Sequence, residues 1–477
     1  MSRQQGSVIE GGPVETAVSV PVYDPSTGEV FAHTPDCGPE EVGRAVDAAA
    51  RAAVGWSRRP VAARAAVLRR IGVGLLEAID RLGELEARQT GKPLRQARRD
   101  IEISARYFDF YASAIETFGG ATVPLDEDTL IYTRWEPHGV TAHITPWNYP
   151  LSILSRSVAP SLAMGNGCVL KPAEEAPLTA ALLVDIAEAA GLPTGLLNVV
   201  TGYGETAGAA LTAHPGIGHI SFTGSVEVGR IIGRVAAERI VPVTMELGGK
   251  SPNIVFADAD LDRAVPIIVN SILQMAGQTC SAGARLLVHE DVHAAVVERI
   301  VAAFEQVVVG PALDDPGLGP LVSEVQRERV LGYFDWARTS GARVLTGGSA
   351  LNGGVYGDGY FVQPTVIDGV DPADRLAQEE IFGPVLAVTA FRTVEEAIEL
   401  ANGTDYGLVA GVWTTDLSTA HRMVQGVDTG QVFVNSYGAS GGVELPFGGM
   451  KNSGFGREKG VEGLRGFGRL KTAVVAL

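Results

Sequence analysis

From residue 139 to 256 the chain alternates short apolar runs, at 140–144, 168–171, 197–201, 219–222 and 253–256, with stretches of helical periodicity. This alternation constrains the fold more than any other feature, because parallel strands must be joined by long crossovers and a helix is the usual way to make one. It predicts a doubly wound α/β domain, a parallel sheet covered by helices. A second mixed α/β region follows, from 257 to about 450, with apolar runs at 284–288, 364–367 and 432–435. Residues 40–118 are instead a helical block, in which Ala62-Ala63-Arg64-Ala65-Ala66-Val67-Leu68-Arg69-Arg70-Ile71 sets the tone. Between 120 and 139, Thr122-Val123-Pro124-Leu125 and Leu130-Ile131-Tyr132-Thr133-Arg134-Trp135 flank Asp126-Glu127-Asp128 and read as an extended hairpin, an arm suited to subunit pairing. Residues 470–475 read as a final strand that pairs outside its own domain.

A chain of 477 residues exceeds one ordinary core, so two or three domains with a cleft between them are expected. A hydrophobic fraction of 46% with 19% charged residues is that of a folded globular protein. The net charge of −17 argues against nucleic acid or an anionic membrane as partner, since phosphate contacts need clustered Lys and Arg. No segment approaches the roughly 20 apolar residues of a membrane span. Residues 1–17 lack the apolar centre of a signal peptide, so a cytoplasmic protein is expected. Cys37, Cys168 and Cys280 fit neither a disulfide framework nor a zinc site, which leaves no metal expected and a thiol available as nucleophile.

Cys280 ends Gly277-Gln278-Thr279-Cys280, between a helical run and the strand pattern that starts at Arg285, so it belongs at an element junction facing a cleft. Alone it reads first as a small buried hydrophobe. Glu246 stands among apolar neighbours just before Gly248-Gly249, where a carboxylate with a raised pKa can act as general base, or is simply solvated. Asn148 lies in Thr145-Pro146-Trp147-Asn148-Tyr149-Pro150, a stiff loop after a strand; its amide can donate to an oxyanion or only form the turn. Together the three make an acyl-transfer constellation. Two glycine patterns compete to cradle a dinucleotide phosphate: Gly202-Tyr203-Gly204-Glu205-Thr206-Ala207, and Phe222-Thr223-Gly224-Ser225 at the opening of a helix.

Seven motifs in this order resemble the aldehyde dehydrogenase superfamily: 145–150, Lys171-Pro172-Ala173-Glu174, Phe222-Thr223-Gly224-Ser225, 246–252, 277–280, 379–384 and Pro446-Phe447-Gly448-Gly449. The resemblance covers nearly the whole chain, from about residue 20. It implies an aldehyde dehydrogenase-like fold: a doubly wound cofactor domain (1–118 and 138–247), an α/β catalytic domain (248–450) and a β-hairpin oligomerisation arm joined by the C-terminal strand (119–137 and 466–477). It implies Cys280 as nucleophile, Glu246 as base and Asn148 as oxyanion donor, oxidising an aldehyde to a carboxylic acid through a thioester. It implies NAD as cofactor, with NADP possible, held by Ile144, Pro146, Trp147, Lys171, Glu174, Gly204, Gly208, Thr223, Gly224, Ser225, Val228, Leu247, Glu380 and Phe382. The Phe222-Thr223-Gly224-Ser225 turn then takes the phosphates, while Gly204 and Gly208 approach the adenine side. Substrate contacts are implied for Tyr149, Arg156 and Phe447, and a homodimer or homotetramer for the assembly.

One departure stands out. The residue nine after Asn148, often Lys in the family and assigned with the Glu of the Gly-Arg-Glu motif to a proton relay, is Ser157, which puts a relay through Glu458 in doubt. Arg156, eight after Asn148, resembles the enzymes of aromatic aldehydes and those of semialdehydes. Gln274 stands where semialdehyde enzymes can carry a second Arg, which favours an aromatic or bulky aldehyde over succinic semialdehyde. The presence of Glu246 argues against a CoA-acylating relative, and Cys280 with Glu246 argues against a non-catalytic one.

Overall fold

The computed structural model describes residues 5–438 and 442–476. Residues 1–4 of the N-terminal stretch weighed as a leader, 439–441 of the second α/β region and Leu477 lie outside it. The first sheet has eight strands, in the order Gly12–Pro13, Val8–Ile9, Leu197–Val199, Gly167–Pro172, Val140–Thr145, Ile217–Thr223, Val243–Glu246 and Gly454–Phe455. Its five central strands are all parallel. All six residues of Val140–Thr145 and of Gly167–Pro172 are buried, which is why these strands read as continuous apolar runs rather than alternating ones. The helices Val61–Glu77, Leu94–Thr117, Pro150–Met164 and Leu178–Ala189 pack one face of this sheet, while Pro39–Ser57 and Val226–Arg239 cover the other.

In chain order the central strands lie third, second, first, fourth, fifth, so the direction of winding reverses between Val140–Thr145 and Ile217–Thr223. Such a switch point opens a crevice at the carboxyl ends of the two strands, where ligands of open α/β sheets bind. Here those ends run directly into Pro146-Trp147-Asn148 and Gly224-Ser225.

The second sheet runs Arg343–Thr346, Thr365–Asp368, Val385–Phe391, Arg285–His289, Pro252–Val255, Val409–Trp413, Gln431–Val434, parallel but for its first strand. This corrects one expectation. The apolar run at 253–256 belongs to this sheet and not to the first, because the chain crosses over through Gly248-Gly249 just before it. A strand absent from the sequence reading, Val243–Glu246, takes its place beside Ile217–Thr223, pairing Thr223 with Glu246. The hairpin Ser19–Asp24 with Glu29–Pro35 was also not anticipated.

The arm is three-stranded. Thr129–Pro137 pairs antiparallel with Thr122–Val123 on one side and, over nine residues, with Gly468–Ala476 on the other. The final strand therefore finds its partner on the arm of its own chain. No helix among the described residues is long and apolar enough to cross a membrane.

Candidate active site

The helix Leu261–Leu273, capped by the Asp260 side chain, ends in a turn that delivers Cys280. Met275 and Ala276 both have φ of 52° and Gly277 has 72°, three successive left-handed residues. At Gly277 a Cβ would lie 2.1 Å from the Gly383 carbonyl oxygen, so only glycine admits this approach of the two loops. Cys280 is half-buried and lines a cavity of about 230 Å³ with Trp147, Asn148, Gly224, Leu247, Glu380 and Phe382, at the switch point of the first sheet. Burial pushes its thiol up to about 11, and Arg156 opposes that shift.

Glu246 ends its strand 1% exposed, with no hydrogen bond to either carboxylate oxygen among the described residues. Burial, and next the Glu458 carboxylate, raise its pKa well above the usual value, against the pull of Arg156. The Asn148 amide donates to the Gln278 carbonyl at 2.9 Å, and its oxygen accepts the Tyr149 N–H at 3.1 Å. One amide N–H is thus committed to the loop that carries Cys280, and the other remains for a ligand in the cavity.

Arg156 is buried and forms an ion pair with Glu458; it also donates to Thr223 Oγ1 at 3.3 Å and stacks its guanidinium 5.2 Å from the centre of the Phe447 ring. Burial alone would depress its basicity, but Glu458, Tyr107, Glu246 and Cys280 together outweigh that and raise it. Phe447 in turn packs in one apolar cluster with Cys280. Glu458 accepts a further bond from Ser221 Oγ at 3.0 Å. Ser157 is turned away from this group, its hydroxyl 2.9 Å from His143 Nδ1. The Tyr149 hydroxyl meets the Thr279 hydroxyl at 2.7 Å, and Gln274 is exposed.

Among the residues expected to hold a cofactor, Ser225 caps the helix Val226–Arg239 by accepting the Val228 N–H, and Val228 itself is exposed. A Cβ on Gly224 would lie 2.5 Å from the Phe222 ring, so the turn stays bare where it meets the cavity. Leu247 and Thr223 are buried beside it. Glu380 accepts the Gly249 N–H at 2.9 Å, and burial pushes its carboxyl up to about 7. Phe382, at φ 60°, meets Trp147 edge-on with ring centres 5.3 Å apart. Lys171 donates to Glu174 at 3.0 Å at the end of its strand; Ile144 is buried, and Pro146 forms part of the cavity wall. Gly204–Gly208 forms a π-helical turn in which a Cβ on either terminal glycine meets nothing within 4 Å. No group of three or more His, Cys, Asp or Glu able to hold a metal exists among the described residues.

Residues 14–473 match the aldehyde dehydrogenase family. The chain belongs to that family. It is similar to a Burkholderia cenocepacia protein assigned to the aldehyde dehydrogenases, with 49% identity, coverage of 98% of this chain and 99% of that one, and a TM-score of 0.97. It is also similar to a Bacillus cereus aldehyde dehydrogenase solved with NAD⁺ (38% identity, 100% and 97% covered, TM-score 0.97). A Staphylococcus aureus betaine aldehyde dehydrogenase solved with NAD⁺ is 35% identical (99% and 95% covered, TM-score 0.96).

Two cavity residues of this aldehyde dehydrogenase went unread in the sequence, Gln326 and Arg329. They sit one turn apart on the helix Glu324–Thr339, where a polar pair at that spacing looks like any solvated face. Gln326 donates to the Phe382 carbonyl at 2.7 Å and Arg329 to the Glu380 carbonyl at 2.6 Å, so both brace the segment 380–382. Lys459, its Nζ 4.9 Å from the Phe447 ring centre, was likewise missed, its neighbour Glu458 having drawn attention.

Proposed function

We propose that this enzyme oxidises an aldehyde to its carboxylic acid with NAD⁺, Cys280 as nucleophile, Asn148 as oxyanion donor and Glu246 as base. The observation that carries the reading is a buried carboxylate without hydrogen-bond partners, Glu246, grouped electrostatically with the one half-buried thiol, Cys280, at a sheet switch point.

The residues fit NAD. A bare turn opens a 14-residue helix whose first N–H groups suit a pyrophosphate, and a half-buried carboxylate, Glu380, lines the same cavity and suits ribose hydroxyls. When bound, NAD⁺ supplies the ring that accepts the hydride. The chain's residues do the rest. The Cys280 thiol, held mostly protonated by burial, gives its proton toward Glu246 as sulfur attacks the carbonyl carbon, forming the S–C bond and an oxyanion. The Cys280 backbone N–H and the second Asn148 N–H hold that oxygen. Loss of hydride from the carbon leaves a thioester. Once that first proton has passed to solvent, Glu246 takes a proton from water as the water oxygen attacks the thioester carbon; the C–S bond breaks, the acid leaves, and Glu246 returns the proton to the Cys280 sulfur. Glu458, buried beside Glu246 and paired with Arg156, tunes the base by its charge, and Ser157 takes no part in passing protons.

The Glu174 carboxylate, tied by one oxygen to Lys171, keeps the other for a ribose hydroxyl and disfavours a 2′-phosphate, so NAD is preferred over NADP. Two cations flank Phe447. Arg156 is matched by Glu458, whereas Lys459 has no carboxylate ion-pair partner among the described residues, and burial, then Arg156, lower it to about 8. This supports an aromatic or bulky aldehyde bearing a polar or anionic substituent. The free state of all three cysteines suits the cytoplasm, and the exposed arm suits a homodimer or homotetramer.

The test is a pair of substitutions. Cys280→Ala is expected to abolish turnover while NAD⁺ binding, measured by fluorescence, persists. Glu246→Gln is expected to give one burst of NADH per site and then stall. Steady turnover in either variant refutes the assigned role.

A further inference from the structure

The loop that carries Cys280 is held from behind by the N-terminal helices. Lys92 lies in the link between the helices Ile79–Thr90 and Leu94–Thr117, 1% exposed, with Nζ donating to Asp100 Oδ2 at 2.6 Å and 3.8 Å from Glu86 Oε1. The same ammonium stands 4.5 Å from the centre of the Tyr149 ring. A desolvated ammonium over a tyrosine face is attracted by the ring quadrupole, so Tyr149 is fixed in direction by Lys92. Glu86 reinforces the grip by accepting the Leu151 N–H at 3.4 Å, in the first turn of the helix that Tyr149 precedes.

From this fixed ring two contacts reach the reacting loop. The Tyr149 hydroxyl bonds to Thr279, the neighbour of Cys280, at 2.7 Å, and Asn148, adjacent in sequence, donates to the Gln278 carbonyl at 2.9 Å. The loop's other end is also held. Gln96 Oε1, four residues beyond Lys92, accepts the Met275 N–H at 3.0 Å, where the left-handed run 275–277 begins. A left-handed backbone at Met275 and Ala276 persists only where surrounding contacts fix it. Within the loop, the Gln278 side chain donates to the Met275 carbonyl at 3.0 Å and accepts the Val322 N–H at 3.0 Å.

We propose that Lys92, with its two buried carboxylates, and Gln96 are positioning residues that set Cys280 and Asn148 in register with each other. Both ends of the 275–279 segment are referenced to one stretch of the N-terminal helices, 92–100, which touches neither the thiol nor the cavity. The proposal rests on the reading of Cys280 as nucleophile. Because a misplacement near 1 Å can cost about 100-fold in rate, loosening either hold acts on the chemical step rather than on cofactor binding.

The experiment uses the full-length enzyme and half-buried Gln96, whose replacement leaves the buried trio intact. Gln96→Leu is expected to slow the NADH burst about 10-fold or more, to change the rate at which iodoacetamide labels Cys280 (located by peptide mass spectrometry), and to leave the NAD⁺ dissociation constant and the thermal midpoint near wild type. Gln96→Glu, which keeps an acceptor oxygen, is expected to restore both rates. Tyr149→Phe, which keeps the ring over Lys92 but loses the hydroxyl, is expected to alter labelling in the same sense. Wild-type burst and labelling rates in Gln96→Leu overturn the proposal. So does a loss that Gln96→Glu fails to restore, or one matched by an equal loss of NAD⁺ binding. Alkylation reports loop geometry without catalysis, so its outcome stands apart from that of Cys280→Ala, which tests the nucleophile itself.

Discussion

Burial holds the Cys280 thiol at about 11, so the thiolate is scarce at neutral pH, and burial, then the Glu458 charge, raises the Glu246 carboxyl well above its usual range. Both are acids shifted upward, so the protonated, unreactive forms dominate below the shifted values and are lost as pH rises. Activity should therefore climb steadily from pH 7 to beyond 9. Glu458→Gln removes the like charge beside Glu246 and leaves Arg156 to act on both groups, so the rise should move to lower pH; a pH profile of kcat/KM that stays in place or moves alkaline contradicts this. Arg156→Leu tests a different consequence of the same pair. Stranding the buried Glu458 carboxylate should cost about 3–5 kcal/mol, and Arg156→Leu with Glu458→Leu should regain most of it in denaturant unfolding. On benzaldehyde, a hydroxybenzaldehyde, succinic semialdehyde and hexanal, Arg156→Leu should lose only the polar substrates if the guanidinium lines the substrate path. An equal loss on all four marks Arg156 as structural. Arg156 was singled out in the sequence as a substrate contact, but its pairing with Glu458 was not legible there, because the two lie about 300 positions apart.

At the scale of elements, the helix Val226–Arg239 depends on the Ser225 side chain for its first turn. Ser225→Ala should lower stability by about 1 kcal/mol, read as a drop in the thermal midpoint, and weaken NAD⁺ binding as the exposed N–H groups fray. Unchanged NAD⁺ affinity would remove this turn from the cofactor site. The literal dinucleotide pattern at Gly202 also leads into a helix, but through a π-helical turn into one of only five residues, Ala209–Ala213, which makes it the poorer phosphate cradle of the two. Parallel strands with both faces covered were readable as apolar runs. The strand Val243–Glu246 was not, because Pro242 precedes it and four residues are too few to show a period. The run at 253–256 was read as a strand but assigned to the wrong sheet, since no local signal marks the crossover at Gly248-Gly249. The Lys92, Glu86 and Asp100 trio hid among ordinary helical charges, because burial of a charge is decided by what packs over it, here Tyr149.

For the whole molecule, the arm is a sheet whose outer strand its own chain leaves largely uncovered among the described residues. Seven of the nine residues of Gly468–Ala476 are exposed, among them Leu470 at 55% and Val474 at 65%, and Leu130 and Tyr132 on the paired strand are exposed as well. Gly468–Ala476 is also a sheet edge, with Thr129–Pro137 on only one side. A long edge carrying apolar side chains offers unpaired N–H and C=O groups to another chain and is normally covered. The occupant favoured here is a second copy of this enzyme, since a closed pair of identical arms hides both edges at once. Ending the chain after Phe467 removes this strand without touching either core cluster of the first sheet beyond its rim, so the protomer should still fold. Sedimentation velocity should then show the wild-type enzyme as a dimer or tetramer and the shortened chain as a smaller species, with NAD⁺ affinity per protomer retained. A wild-type enzyme that sediments as a monomer at micromolar concentration rules out this assembly, and a shortened chain of unchanged size places the contact elsewhere.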